Sequence, residues 1–454
     1  MTTPLPTPPQ FPNDRQADDL MARFIAAAGS IVLGRYDGYD VSGALRLPFF
    51  SECLNTHNYR HASRWAAFRT ALIGMSYQAQ MPPAEALLIV EWDHARIVAQ
   101  HAPLLDTIRQ RGIATEKATL RPPQKRDILR ALTPRNGAAL LRTNLRPSAD
   151  RIATAFGLEQ RPFQRWLWSQ AAIAWGMFRT AENALRAMQT RPRAIVMDSE
   201  YHPRSRAFAA AAQRLKIPVI VVQHGFLGQG WLHHPLMAKT ICVWGEVDQV
   251  WYKGQGVVAE RIALSGSPRA FTISAEQRRE SRERHHIREG EVALVFFAPN
   301  LSPAYHERAA GWLRAAAAEG RRWFVRFHPS TTNPASRAAY EGAAEPIPAD
   351  ESFETTCAFA DGALHDYSSM QFPEYAGIPT ACLPLDPPYP VHYAELLGDQ
   401  PLLTDEAALW AWISARRPLD IPSAHTTRAM AAGGVESLRR IADAVWEHMK
   451  DAPR

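Results

Sequence analysis

The chain has 454 residues, of which 46% are hydrophobic, so it can bury a large core, and its length predicts two domains with an appendage. Its four cysteines lie far apart, which argues against a zinc cluster or a disulfide framework and favours a reducing cytoplasm. The formal net charge of +6 comes from scattered basic residues without a nucleic-acid-binding signature, so nucleic acid is not an expected partner. The polar amino terminus and the lack of a long apolar run predict a protein that is neither secreted nor membrane-spanning.

The first 80 residues predict a polar tail followed by a helical extension, with helical spacing at residues 17–28 and 61–75. An apolar run at residues 86–91 then predicts a buried strand, and the spacing of residues 97–111 predicts a helix after it. A strand, a loop and a helix in this order build a doubly wound sheet. We therefore assign residues 81–270 to a first Rossmann-like domain, which follows the extension formed by residues 1–80.

The most informative segment of this domain is a continuous apolar run at residues 219–222 that stops abruptly at Gln223, His224 and Gly225. Such a run predicts a buried parallel strand that ends at a loop, and the glycine allows the backbone to turn sharply there. His224 is thereby placed at the carboxyl end of a sheet. Open α/β sheets bind their ligands at this edge.

Two carboxylates follow the preceding predicted strand, at residues 193–197. They are Asp198 and Glu200, and a predicted helix at residues 204–215 completes a β-α-β unit. Because parallel strands end at the same edge of a sheet, these carboxylates are expected near His224, and either is an alternative to it as a general base. Capping of the following helix is the competing interpretation of each carboxylate.

Glycine and proline, which favour turns, lie at residues 266 and 268, and a new series of predicted strands begins at residue 292. Together they predict a domain boundary near residue 271. The second predicted domain, residues 271–454, repeats the alternation of strands and helices. Its strands are predicted at residues 293–297, 323–327, 362–364 and 380–383. A second Rossmann-like domain follows from this alternation.

Two loops of the second predicted domain carry residues suited to an anionic ligand. His328 directly follows one predicted strand, and Ser368 and Ser369 precede a predicted helix that contains Glu374. The start of a helix offers free backbone N–H groups and the positive end of the helix dipole, which suit phosphate. Simple capping of that helix is the alternative interpretation of the two serines.

Taken together, these short motifs resemble bacterial surface-polysaccharide glycosyltransferases of the GT-B fold, the group that includes Kdo transferases, polysialyltransferase-like proteins and teichoic-acid glycerophosphotransferases. The resemblance covers residues 84–390. It implies an α/β fold of two Rossmann-like domains facing a central cleft, with an N-terminal helical extension before them. The matching motifs are Gln223-His224-Gly225, Gly266-Ser267-Pro268-Arg269, His328-Pro329, and Ser368-Ser369 followed by Glu374 and Gly377-Ile378-Pro379.

The resemblance also implies a role for each motif. His224 corresponds to a cleft histidine that acts as general base toward an acceptor hydroxyl or binds the donor. His328 corresponds to a histidine that contacts the nucleotide phosphate or stabilises the leaving group. The remaining donor-binding positions comprise the neighbours of the cleft histidine, a phosphate-binding arginine, the phosphate-binding serine pair and the acid that holds the ribose hydroxyls: Gln223, Gly225, Arg269, Ser368, Ser369 and Glu374.

The sequence has neither an Asp-x-Asp motif nor a Walker-type phosphate loop. Donor phosphates are then expected to be bound by helix termini, hydroxyls, histidine and arginine, so we predict no metal and no cofactor, the nucleotide-sugar being a substrate. The predicted activity is transfer of a sugar from a nucleotide-activated donor, with a CMP-sugar favoured by the resemblance. The expected acceptor is a surface polysaccharide or its lipid-linked precursor, so we predict a cytoplasmic enzyme whose basic surface allows association with the inner membrane.

Three alternatives follow from the same residues. The first is transfer of an alditol phosphate from a CDP donor, and the second is a UDP-sugar enzyme such as a nucleotide-sugar 2-epimerase. The epimerase would have carboxylates and histidines that act on the sugar, without an open acceptor groove. The third is a noncatalytic binding protein of a polysaccharide-export system, which would bind nucleotide without turnover.

Overall fold

The computed structural model describes residues 14–29, 31–33, 39–89, 95–131, 145–223, 236–269, 271–316, 320–328, 331–366, 372–383, 400–419, 428, 430–431 and 433–450. These residues form two α/β units, each built on its own sheet, and a helical layer before the first sheet. Within these ranges, no helix combines the length and the apolar character that a membrane crossing requires.

The helical layer contains α1 (Asp14–Ala28), α2 (Ser42–Pro48) and α3 (Arg64–Gly74), with a short antiparallel pair of β1 (Val32–Leu33) and β2 (Tyr39–Asp40) between the first two helices. The predicted helical extension is thus present in the described part of the first 80 residues. It packs against three later helices of the first unit, the longest of which has 28 residues. These are α6 (Arg146–Phe156), α7 (Gln160–Ala187) and α8 (Pro203–Arg214).

The first unit is built on a seven-stranded sheet in the order β3-β5-β4-β6-β7-β8-β9. All neighbouring pairs are parallel except β3 with β5, which is antiparallel. The strands are β3 (Gln78–Gln80), β4 (Ala86–Ile89), β5 (Thr115–Arg121), β6 (Ala194–Met197), β7 (Val219–Val222), β8 (Thr240–Val243) and β9 (Ile262–Leu264).

The central strands of this sheet are buried on both faces. Ile195 and Val221 point into the core beneath α7 and α8, whereas Val196 and Val222 belong to a second core on the opposite face. Burial on both sides explains why these strands are continuous apolar runs instead of alternating ones. The remaining helices of this unit are α4 (Ala95–Gln110), α5 (Lys125–Ala131) and α9 (Glu246–Gly254).

The second unit is built on a five-stranded parallel sheet in the order β12-β11-β10-β13-β14. The strands are β10 (Val292–Ala298), β11 (Arg321–Phe327), β12 (Glu345–Pro346), β13 (Gly362–His365) and β14 (Thr380–Cys382). The helices are α10 (Ala275–Arg284), α11 (Pro303–Ala315), α12 (Pro334–Ala338), α13 (Phe353–Phe359), α14 (Phe372–Tyr375) and α15 (Glu406–Ser414). The predicted α/β class with two Rossmann-like sheets is confirmed.

The last helix, α16 (Val435–Lys450), returns to the first unit. Its apolar face, which includes Ile441 and Val445, packs with α4 and with the face of the first sheet opposite α7. The boundary near residue 271 stays a prediction, but residues 435–450 pack with the first unit although they were assigned to the second domain. Sequence spacing alone does not show this return, because an amphipathic helix at a carboxyl terminus fits either sheet.

The two units meet around a small apolar cluster. Trp244, which directly follows β8, packs with Met430, and Phe271, Phe353 and Tyr375 of the second unit surround this pair. Backbone bonds fasten the same region, because the N–H of residue 431 donates to the carbonyl of residue 244 over 2.8 Å. The carboxyl ends of the first sheet therefore lie beside the second unit.

Candidate functional site

The strand order of the second sheet creates a switch point between β10 and β13. Counted along the chain, the order is 3-2-1-4-5, so the chain leaves β10 toward one edge and later returns on its other side. Open α/β sheets bind ligands in the crevice outside the carboxyl ends of the strands at such a point. Helix α11 begins directly after β10, and the side chain of Ser302 accepts the N–H of Tyr305 to cap it. Its first turn faces this crevice.

Three buried polar side chains gather at this switch point. His306 Nδ1 lies 3.1 Å from the hydroxyl of Tyr340, and Asp366 directly follows β13. Burial lowers the pKa of His306, and it raises the pKa of Tyr340 with a smaller contribution from the charge of Asp366. Both rings are therefore neutral near pH 7 and can donate or accept hydrogen bonds. The sequence analysis did not identify these residues as a group.

A chain of hydrogen bonds links the end of β13 to Glu374. His365 Nε2 lies 2.7 Å from Gln400 Oε1, and Gln400 Nε2 donates to Glu374 Oε2 over 2.7 Å. Because an ionised carboxylate only accepts, the amide nitrogen of Gln400 faces Glu374, so His365 carries its proton on Nε2. Burial lowers the pKa of His365 to about 4, although the bond to Gln400 opposes this shift. A neutral histidine and an amide thus orient the predicted ribose-binding acid.

The other predicted donor residues are placed as follows. His328 is exposed directly after β11, and its N–H donates to the carbonyl of Ala298 at the end of β10 over 3.0 Å, so it lies at the same edge as the switch point. Arg269 is half-buried beyond β9, in the first unit. Ser368 and Ser369 lie outside the described residues, between Asp366 and α14. Their predicted role stays a prediction.

In the first sheet, Gln223 directly follows β7 and its side chain hydrogen-bonds to the residues after β8. Its side-chain oxygen accepts the N–H of Trp244 over 2.9 Å, and its side-chain nitrogen donates to Asp248 over 3.2 Å. The indole of Trp244 also donates to the Gln223 carbonyl over 2.9 Å. Both ends of the amide are therefore engaged at the strand end, and its predicted contact with the donor stays a prediction. His224 and Gly225, which directly follow Gln223, lie outside the described residues.

The carboxyl group of Asp248 predicts a pH dependence of stability. Burial raises its pKa from the usual 3.8 to about 7, against the smaller effect of its hydrogen bonds to Gln223 and the Gly245 N–H. A raised folded-state pKa means that folding favours the protonated form, so the stabilisation is complete below about pH 4 and is lost as the pH rises through about 7. At about 1.4 kcal/mol per pH unit, the loss is at most about 4 kcal/mol.

We therefore expect the free energy of unfolding of Asp248→Asn to fall less than that of the unchanged protein between about pH 4 and pH 8. Urea denaturation at a series of pH values measures this difference. Glu246→Gln is the matched control, because Glu246 is exposed in the first turn of the same helix. Equal pH slopes for Asp248→Asn and the control would show that Asp248 does not carry the effect.

The two carboxylates after β6 are both buried, at 1% exposure for Asp198 and 3% for Glu200. Glu200 accepts the N–H groups of Met237 and Ala238 over 2.6 and 2.8 Å, and Arg206 lies 3.9 Å away. Burial raises the pKa of Glu200, and Arg206 opposes that shift. The described contacts thus make Glu200 an anchor for the chain that returns to β8, whereas its role as a base, like that of Asp198, stays a prediction.

Comparisons with known proteins were made on this fold. No family model and no curated protein match the chain. Among solved structures it is similar to the UDP-GlcNAc 2-epimerase from Neisseria meningitidis bound to UDP-GlcNAc, with 12% identity, 72% of this chain and 90% of that chain covered, and a TM-score of 0.44. It is also similar to MurG from Acinetobacter baumannii (12% identity, 80% and 99% covered, TM-score 0.44) and to the calicheamicin glycosyltransferase CalG4 (14%, 81% and 96%, 0.41).

Proposed function

We propose that the protein is a metal-independent glycosyltransferase that moves a sugar from a nucleotide-activated donor to a surface polysaccharide or its lipid-linked precursor. The observation that carries the proposal is the polar edge of the second sheet at its switch point, in a protein where Trp244 at the end of β8 in the first sheet packs beside the second unit. The donor nucleotide would bind at this edge of the second unit, and the acceptor at the first. A CMP-sugar is the proposed donor, on the basis of the motif resemblance.

The proposed reaction assigns proton removal to the acceptor side of the donor and stabilisation of charge to the leaving-group side. His224 would accept the proton of an acceptor hydroxyl while the oxygen of that hydroxyl attacks the anomeric carbon of the donor sugar. Asp198 and Glu200 are the alternative bases. The bond from that carbon to the phosphate oxygen breaks, and the nucleotide leaves with the electron pair. His328, with Ser368 and Ser369, would stabilise the charge on the departing phosphate. Arg269 is a further proposed phosphate ligand.

The hydrogen-bond chain to Glu374 predicts the effect of one substitution. Gln400→Leu removes the amide that orients this carboxylate, so we expect nucleotide to bind about tenfold more weakly and KM for the donor to rise more than kcat falls. Calorimetric titration with CMP and UDP measures the affinity. Gln110→Leu is the control, because Gln110 is exposed on α4 of the first unit. The same affinity in both variants would remove Glu374 from the proposed nucleotide site.

A nucleotide-sugar 2-epimerase is the second candidate. The buried His306, Tyr340 and Asp366 at the switch point favour it, since such groups can move protons on a sugar. Incubation with CMP- and UDP-sugars and a saccharide acceptor separates the candidates. A transferase releases free nucleotide and lengthens the acceptor, and an alditol phosphotransferase releases CMP from a CDP donor. An epimerase returns the nucleotide-sugar with one inverted centre, while binding without any product identifies a noncatalytic protein.

A further inference from the structure

A cavity lies at the edge of the first sheet where the strands begin, opposite to the edge that holds Gln223. It has a volume of about 560 Å³ and is lined by the amino-terminal ends of β7 and β8, the end of α8 and the last turn of α16. This size falls in the range of small-molecule sites. The edge carries none of the residues assigned to the donor or the acceptor, so the proposed glycosyl transfer leaves the cavity unexplained.

The cavity is strongly cationic. Lys216, Lys239 and Arg261 line it together with His448, and its described lining contains no carboxylate. Both lysines are exposed, and within the described chain neither ammonium pairs with an acidic side chain. Three fixed positive charges around one concave surface attract a dianion more strongly than a neutral ligand or a monoanion. A phosphate group is a dianion of this kind, and it accepts charge-assisted hydrogen bonds on several oxygens.

Hydrogen bonds position the chain segments that carry these residues. Lys216 has a φ of 58°, just beyond α8, and its N–H donates to the carbonyl of residue 213 over 3.1 Å. The N–H of Lys239 donates to the carbonyl of Val219 over 2.8 Å at the start of β7. His448 Nε2 lies 2.7 Å from the hydroxyl of Thr240. The chain segments that carry the two lysines are therefore defined by the end of α8 and by the starts of β7 and β8.

Arg261 links the cavity to residues 236–238, which are also bound by Glu200. Its guanidinium donates to the carbonyls of Leu236, over 2.6 Å, and Ala238. The same segment is held from its other side by Glu200, which accepts the N–H groups of residues 237 and 238. This segment follows residues 224–235, which begin with His224. An anion that binds Arg261 would thus contact the side chain that, together with Glu200, holds residues 236–238 in place.

We propose that this cavity binds a phosphate-bearing ligand at a site separate from the nucleotide. The phosphate sits between Lys216 and Lys239, with Arg261 behind it. Either a free phosphorylated compound or the headgroup of a phospholipid supplies this chemistry. The proposal stands independently of the glycosyl transfer, because the nucleotide-binding edge and this cavity share no residue.

Inorganic phosphate and pyrophosphate are the probes, titrated calorimetrically into the full chain saturated with CMP or UDP. The pocket variant is Lys216→Asn with Lys239→Gln, since asparagine tolerates the positive φ of residue 216. The charge-matched control is Lys125→Gln with Lys253→Gln, two lysines that are exposed elsewhere on the first unit. We expect the pocket variant to bind the anions at least about tenfold more weakly and the control to bind them as the unchanged protein does.

Vesicles distinguish the two sources of the phosphate group. Co-sedimentation with phosphatidic acid vesicles that depends on Lys216 and Lys239 supports a lipid headgroup, whereas anion binding without vesicle binding supports a free ligand. Equal anion affinity in the pocket variant and the control would overturn the proposal, whether both are weakened or neither is. Nucleotide affinity is the separate readout: it stays unchanged in the pocket variant, so failure here and failure of the donor site give different results.

Discussion

Replacement of Asp361 by alanine is expected to lower the free energy of unfolding by about 3–5 kcal/mol. Asp361 has no exposed surface, and its carboxylate accepts bonds from Arg278 and, over 2.9 Å, from Arg282. It also accepts the N–H groups of Ala293 and Leu419, both over 2.8 Å. The substitution leaves the buried Arg278 guanidinium without its counter-charge and removes the tie between α10, the start of β10 and residue 419.

Urea denaturation measures this loss, and two comparisons isolate its cause. The double substitution Arg278→Met with Asp361→Leu removes the buried Arg278 guanidinium together with its counter-charge, so we expect it to recover part of the lost stability, although Arg282 and two backbone N–H groups still lose their acceptor. Glu276→Ala breaks an exposed pair with Arg279 on the same helix and is expected to cost no more than about 1 kcal/mol. A similar cost for Asp361→Ala and Glu276→Ala would contradict the role of the buried cluster.

The second large effect concerns the proposed general base. His224→Ala is expected to reduce the rate of sugar transfer by about 10²- to 10⁴-fold, because the acceptor hydroxyl loses the group that takes its proton. Nucleotide affinity is expected to change little, since the proposed donor-binding residues His328, Ser368, Ser369 and Glu374 belong to the second unit. Single-turnover transfer assays with calorimetry on the same preparations separate the two quantities.

His61→Ala is the matched control for this prediction, because His61 is exposed in the helical layer. His328→Ala provides a further comparison. If His328 stabilises charge on the departing oxygen, as proposed, His328→Ala will slow transfer as well, but to a smaller extent with donors whose leaving group is more acidic. An unchanged transfer rate in His224→Ala would move the base to Asp198 or Glu200.

Much of the fold could be predicted from the sequence because buried parallel strands are continuous apolar runs. The strand predicted at residues 193–197 is found as β6, and the one at 323–327 is found as β11. Strand β5 was missed, because only Ala118 and Leu120, two positions apart, are apolar between Thr115 and Arg121, and the strand lies near the sheet edge beside the antiparallel β3. An alternating run of this kind is typical of a half-exposed strand and lacks the signal of a buried one.

The site was harder to predict, because its parts are distant in sequence. The ends of β10 and β13 bring residues 306, 340 and 366 together, and only the strand order of the finished sheet shows that they share a switch point. His365 and Asp366 lie at the end of β13, just before the predicted serine pair. Both are buried. His365 is hydrogen-bonded to Gln400, and Gln400 donates to Glu374, which lies 26 residues before it in the chain. No local pattern could indicate that connection.

Hydrogen–deuterium exchange with and without nucleotide tests the central claim most directly. If the second sheet binds the donor at its switch point, CMP or UDP will slow amide exchange in residues 298–306 and 362–375. The strand ends after β4 and β6 will show little change until an acceptor is added. Protection confined to the first unit, or no protection by either nucleotide at concentrations that saturate binding, would contradict the proposed nucleotide site.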